Sequence, residues 1–258
     1  MNAILRKPIA VAFSNACFEG HFPDRPILPG VTQFALILEA LERETRGPVP
    51  IQGIAFARLR QIVLPGEHLE LQVREQPAQR LRFDLKRGES LVANGEFILG
   101  SPQSPRRATH EGAVLAAPLA AGPPLEELLP HKAPMRFLSA IRQQSAEALI
   151  CTARIPGRCA LVVGDWAPAV ATIEAAAQAA AAWEALRRAS DTGSASPRIG
   201  YLVAVREVVF FTTRVPADQD LRVSVSLEAA APPLTHYRFE VTLDGKLTTL
   251  GTIATFMA

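Results

Sequence analysis

Residues 21–31 read His-Phe-Pro-Asp-Arg-Pro-Ile-Leu-Pro-Gly-Val and lead straight into an apolar helical pattern. A histidine is a general base suited to neutral pH, with an unperturbed pKa of about 6.5. Downstream of His21, Pro29-Gly30 marks a helix start. The first backbone N–H groups of a helix have no intrahelical partner and point outward. Such donors suit an acyl oxygen or an oxyanion. A base close in sequence to an anion-stabilising backbone site fits proton removal next to a carbonyl. A second group stands in the other half of the chain, where Glu174 interrupts an alanine-rich helical run and Gln178 follows one turn later on the same face. Most helical glutamates are solvated, but this segment reads as buried, which favours a working carboxyl.

Two helices have to position these groups. Apolar spacing predicts one over 31–46, stopped by Gly47-Pro48, and another over 170–188, ended by Ser190-Asp191-Thr192-Gly193. Strands are predicted over 9–13, 52–63, 69–73, 81–85 and 90–99, then over 146–155, 200–213, 221–227, 237–243 and 246–256. Between the halves, residues 102–122 are rich in Ser, Pro, Gly and Ala, contain Arg106-Arg107 and keep no period, so they read as a linker. The order of elements repeats on either side of it. Leu64-Pro65 and Arg82-Phe83 have counterparts in Val215-Pro216 and Arg238-Phe239. Each match is weak alone; their common order supports a duplication.

Composition bounds the rest. A chain of 258 residues holds one large or two small domains. With 48% hydrophobic and 20% charged residues it reads as globular, and a net charge of +2 argues against nucleic-acid binding. Three cysteines without CxxC spacing, Cys17, Cys151 and Cys159, read as free thiols of a reducing cytoplasm. No apolar run of signal-peptide length follows Arg6-Lys7. Glu174, Gln178 and Glu184 within 169–186 argue for a buried helix and against a membrane span.

The first stretch resembles the H-F-P-x-x-P-x-x-P-G-V signature of the FabZ- and FabA-type 3-hydroxyacyl-[acyl-carrier-protein] dehydratases. In those families a helix carboxylate follows the histidine by 14 positions; here that position is Ala35. The run from Pro168 through Val170 and Glu174 to Gln178 resembles the same junction, P-G-V-x-x-x-E-A-x-A-Q, but 14 positions before Glu174 stands Ala160. One half has the base without the acid, the other the acid without the base. This division is similar to the two-gene ApeI and ApeP dehydratases of aryl polyene synthesis. Residues 128–135, Leu-Leu-Pro-His-Lys-Ala-Pro-Met, resemble the L-P-H-x-x-P-[FM] opening of the FabZ type, in which the histidine is structural. His131 is therefore expected to pack.

The resemblance implies an α+β double hotdog fold: an ApeI-like hotdog domain over 1–101, the linker over 102–122, and an ApeP-like hotdog domain over 123–258. Each has a long central helix wrapped by an antiparallel sheet, and the two form an internal pseudo-dimer that could oligomerise further. Sheets joined edge to edge would lose two exposed edges, and fusion replaces bimolecular association with a high effective concentration. The resemblance further implies loss of water from a 3-hydroxyacyl thioester, giving a trans-2-enoyl product, at one composite site. His21 would take the Cα proton, and the Gly30 N–H would hold the carbonyl, a contribution of roughly 3 kcal/mol. Glu174 would protonate the departing β-hydroxyl, its pKa raised by burial. The twin site, at Ala35 and Ala160, would be empty.

Phe22, Pro29, Val31, Phe34 and Gln178 are expected to contact substrate. Arg25, Arg58 and Arg60, with Lys132 and Arg136, would face an acidic acyl carrier protein, whose phosphopantetheine arm carries the acyl group. Glu39, one turn after Ala35, is an alternative acid, although its i,i+4 spacing to Arg43 reads as a surface pair. His68, His110 and His236 read as solvated. No His/Cys/Asp/Glu group has metal-ligand spacing, so neither metal nor other cofactor is expected. Two other functions stay open on the same fold: hydrolysis of an acyl thioester, and a non-catalytic scaffold that binds an acyl carrier or partners another dehydratase. Chain length, and whether the acyl group is fatty, polyene or aryl-polyene, are not legible in the residues.

Overall fold

The computed structural model describes residues 5–11, 16–104, 106–107, 123–192 and 198–257. Most of the linker, with His110, lies outside the described residues. The first half runs β1 (Leu5–Ala10), α1 (Gly30–Thr45), β2 (Ile51–Leu59), β3 (His68–Gln76), β4 (Arg80–Arg87) and β5 (Ser90–Leu99). The second runs α2 (Leu125–Leu128), β6 (Leu138–Gln144), β7 (Ala148–Ala153), β8 (Trp166–Pro168), α3 (Thr172–Thr192), β9 (Gly200–Phe210), β10 (Arg214–Pro216), β11 (Leu221–Ala231), β12 (Leu234–Leu243) and β13 (Lys246–Met257).

The main sheet is continuous and antiparallel, in the order β1-β3-β4-β5-β2-β9-β13-β12-β11-β7-β6. The halves meet where β2 pairs with β9, in a register that sets Gly53 opposite Val209 and Arg58 opposite Ala204. That seam is close-packed: a Cβ on Gly53 would lie 2.2 Å from the Val208 carbonyl oxygen. Joining the sheets here hides the edges that each half alone would expose. The expected edge-to-edge pseudo-dimer is thus the observed architecture.

Each half wraps its sheet around one helix. Helix α1 buries Val31, Phe34, Ile37 and Leu41, a spacing that keeps one stripe against the sheet. It ends where Arg46 turns left-handed at φ 55° and the Gly47 N–H donates to the Glu42 carbonyl. Helix α3 is buried on several faces, through Ile173, Ala175, Ala176, Ala179, Ala180, Ala182, Trp183 and Leu186. It packs on β7, β11, β12 and β13 and touches α1. Small alanine side chains let one helix approach so many neighbours, which is why the run looked buried in the sequence.

The structure corrects several boundaries. The first strand is Leu5–Ala10, paired with β3, and not 9–13. Strand β6 was not expected; it sits at the end of the sheet and its burial does not alternate, so it lacks a period-two signal. Strands β8 and β10 form a separate two-stranded ribbon of three residues each, too short to read from pattern.

Candidate active site

Two loops and the starts of two helices build the site. The first loop carries His21 toward the start of α1. Its backbone is sharply turned, with Gly20 at φ 78° and Phe22 at φ 58°. A positive φ is costly for a bulky residue, of order 1–3 kcal/mol, and such strain recurs at functional sites. It stacks the Phe22 ring on His21, with centroids 4.2 Å apart and planes inclined by 30°. The second loop, residues 129–137, carries His131. The loops are clipped together where the Lys132 N–H donates to the Gly20 carbonyl at 2.8 Å. No side chain fits at Gly20, where a Cβ would lie 2.1 Å from the Lys132 carbonyl oxygen.

His21 is buried and its Nδ1 lies 2.8 Å from the Ile27 carbonyl oxygen. A carbonyl only accepts, so this bond places the proton on Nδ1 and leaves Nε2 with a lone pair. Burial pushes the His21 pKa down to about 4, with the nearby His131 adding to the fall and Glu174 and the Ile27 carbonyl opposing it. The ring is neutral near pH 7.

Glu174 is buried in the first turn of α3. Its Oε1 accepts from the Gln178 amide at 3.0 Å and faces His131 Nε2 at 3.3 Å. Gln178 is buried and clamps the second loop to the helix. Its amide also donates to the Met135 carbonyl at 2.7 Å, and its carbonyl accepts from the Phe137 N–H at 2.8 Å. Burial pushes the Glu174 pKa up, but the His131 hydrogen bond, the two histidines' charges and the Gln178 bond outweigh it, and the carboxyl is held below the usual range. This corrects the expectation of a raised carboxyl. His131 is corrected too: it does not merely pack, but joins the site. Its ring lies 5.2 Å from His21 and 4.9 Å from Phe22, centroid to centroid.

His21, His131 and Glu174 each present one ligand-type atom, all within 4.8 Å of one another. They line a cavity of about 320 Å³ with Phe22, Gly30 and Gln33. Gly30 opens α1, so its N–H belongs to the set that the helix cannot satisfy. Along α3 the wall continues through Ala177, Ala181 and Glu184; across from it come the end of β2, the start of β9 and the end of β13. Two buried wall atoms, Gln33 Oε1 and Thr255 Oγ1, have no hydrogen-bond partner among the described residues. Neither was singled out from the sequence, where a polar residue on a helix or strand carries no sign of facing a cavity.

Other expected contacts fall elsewhere. Phe34 is in the core, edge-on to Phe83 and Phe97, and Val31 is fully buried in the same core; neither is among the cavity-lining residues described. Pro29 caps α1 from outside that lining. Gln178 acts on Glu174 and the second loop, not on the wall. Arg25, Arg58 and Arg60 are exposed; Arg60 alone of them lines the cavity and is bonded to Asn94 Oδ1 at 3.0 Å. Arg136 pairs with Glu126, and Glu39 pairs with Arg43 on the surface. His68 is exposed, whereas His236 is half-buried beside Arg206.

The pseudo-equivalent position is dismantled. Ala35 is half-buried against the core and Ala160 is exposed. Ala169, in the place of Gly30, has its N–H tied to the Thr213 carbonyl at 2.9 Å. Base, acid and free backbone donor are all missing there.

Residues 123–258 match the family of ApeP-like dehydratases, and residues 5–96 match that of ApeI-like dehydratases. The first match spans just over half the chain. The chain belongs to the ApeP-like dehydratase family. Its ApeI-like half precedes the ApeP-like half in one polypeptide. A curated relative, the 3-hydroxyacyl-[acyl-carrier-protein] dehydratase FabZ of Symbiobacterium thermophilum, is 38% identical over 95 residues, covering 33% of this chain and 63% of that protein. The FabZ of Clostridium tetani is 39% identical over 74 residues, covering 24% of this chain and 49% of that one. The chain thus spans between about half and two thirds of these relatives' length. The dehydratase domain of RzxB from Pseudomonas fluorescens has the same fold over the whole chain, with TM-score 0.72, 16% identity and 97% of that domain covered. This ApeP-like chain is accordingly a double hotdog. No helix among its described residues is long and apolar enough to cross a membrane.

Proposed function

We propose that the chain is a 3-hydroxyacyl-[acyl-carrier-protein] dehydratase with one composite active site, acting in polyene or fatty-acid-like biosynthesis. The observation that carries this reading is the meeting of a neutral, buried His21, from one half, with a buried Glu174, from the other, in a single cavity. Neither half holds both groups. Loss of the second set, including the backbone donor at Ala169, fits one site per chain.

In this reading the thioester carbonyl accepts from the Gly30 N–H, which stabilises the enolate oxygen as the Cα proton leaves. A preorganised donor of this kind contributes about 3 kcal/mol. The proton goes to His21 Nε2, kept bare by the Nδ1 bond to Ile27. The β-carbon–oxygen bond breaks, and the hydroxyl leaves as water after taking a proton. That proton comes from the Glu174–His131 pair, whose members face each other at 3.3 Å, with Glu174 as the member facing the hydroxyl. His21 then returns its proton to the pair. Gln33 Oε1, one turn into α1 from Gly30, is a free acceptor for a hydroxyl or amide hydrogen of the substrate. The chemistry needs no cofactor. The acyl group would arrive on the phosphopantetheine arm of an acidic acyl carrier protein, with Arg25, Arg58 and Arg60 as candidate docking groups. Cys17, Cys151 and Cys159 are buried and form no disulfide, which suits the cytoplasm.

The test supplies 3-hydroxyacyl-carrier protein and follows enoyl thioester formation. Wild type forms enoyl product, and His21→Ala and Glu174→Ala each lose on the order of 10²–10⁴ in kcat. Release of free carrier thiol without enoyl product would identify a thioesterase. Carrier binding without any turnover would identify a scaffold.

A further inference from the structure

We infer that His21, His131 and Glu174 form a binding site for a divalent transition metal such as zinc, and that metal bound there inhibits the chain. The three donors come from two loops and a helix, and all three residues are buried. Two imidazoles and one carboxylate are a ligand set that suits zinc and cobalt, and three protein ligands leave a fourth position open. Zinc bonds of about 2.0–2.1 Å put neighbouring ligand atoms of a tetrahedron roughly 3.3 Å apart. His131 Nε2 and Glu174 Oε1 already stand 3.3 Å apart, and no pair of ligand atoms in the set exceeds 4.8 Å. Small side-chain rotations close the remainder.

The supporting bonds suit a metal site as well. Metal-binding histidines commonly donate their second nitrogen to a carbonyl, which orients the ring. His21 does this through Nδ1 to Ile27, so its Nε2 faces the cavity bare. Gln178 holds the Glu174 carboxylate in the same way. His131 Nδ1 is buried with no partner among the described residues, so it can take the ring proton when Nε2 gives it up. With that shift Nε2, which faces Glu174 Oε1 at 3.3 Å, becomes a ligand beside it. The binding stands on this geometry alone. The inhibition rests on the dehydratase reading, because a metal on Nε2 removes the lone pair that would take the Cα proton.

The experiment uses the full chain freed of metal by chelation and titrated with cobalt(II) chloride. One cobalt per chain is expected, with the visible absorption of a low-coordinate cobalt centre. His21→Ala, His131→Ala and Glu174→Ala should each weaken binding by more than the roughly 10–100-fold that loss of a supporting group costs. Should a variant fold poorly, displacement of zinc-sensitive cobalt absorption from wild type by an enoyl thioester tests the same site. Stoichiometric binding that survives all three substitutions, or no stoichiometric binding, overturns the proposal. Turnover is assayed separately on metal-free enzyme. Turnover without cobalt binding refutes only the metal site; cobalt binding without turnover refutes only the dehydratase reading.

Discussion

His131 is the residue whose role depends most on context. Its sequence motif implies packing, yet its Nε2 stands 3.3 Å from Glu174 Oε1 in a cavity shared with His21. The contact has an electrostatic consequence with a definite sign. Burial alone would raise the Glu174 pKa, and His131 supplies the leading opposing influences. Removing His131 leaves only the His21 charge and the Gln178 bond to oppose burial. In His131→Ala the Glu174 carboxyl should titrate higher than in wild type, where it is held below the ordinary carboxylate range. His131→Gln, which keeps a donor near Oε1, should restore the lower value. Carbon-13 NMR of the labelled glutamate side chains reads this directly, and an unmoved Glu174 in His131→Ala would show that the pair is not coupled. A purely structural histidine would change stability without moving that titration.

At the scale of elements, the site depends on two loops held in contact by a glycine. In Gly20→Ala the new methyl would overlap the Lys132 carbonyl oxygen, and Gly20 already sits at φ 78°. The loops must part, taking His21 from His131. A misplacement near 1 Å costs about 10²-fold in rate, so kcat of Gly20→Ala should fall by that order. The fold should survive with a stability loss of about 1–3 kcal/mol, as judged by chemical denaturation. Wild-type kcat in this variant would mean that the clip does not position the base. The two helices that bear Gly30 and Glu174 were legible from apolar spacing; Gly47-Pro48 marked the end of the first, whereas the second runs through Ser190 to Thr192, past the stop expected there. The clip was not legible, since Gly20 and Lys132 are joined only by folding. The cavity wall on β9 and β13 was also hidden: strand alternation says which residues face inward, not which of them border a void. Phe34 illustrates the converse, an aromatic beside the signature that is spent on the core with Phe83 and Phe97.

At the scale of the whole molecule, the β2–β9 seam turns two incomplete halves into one complete site. The loss of chemistry was readable by counting positions from His21 to Ala35 and from Glu174 back to Ala160. The tethering of the Ala169 N–H by Thr213, which closes the second site altogether, needed the fold. If His21 and Glu174 serve one reaction at one place, their removal cannot be independent, because residues acting as a unit are strongly non-additive. The decisive measurement is a double-mutant cycle: kcat/KM for enoyl formation by wild type, His21→Ala, Glu174→Ala and the double variant. The composite site predicts that the double variant is no slower than the slower single variant, within a few fold. Losses that multiply, or single variants that each keep about half the activity as two separate sites would, would contradict it.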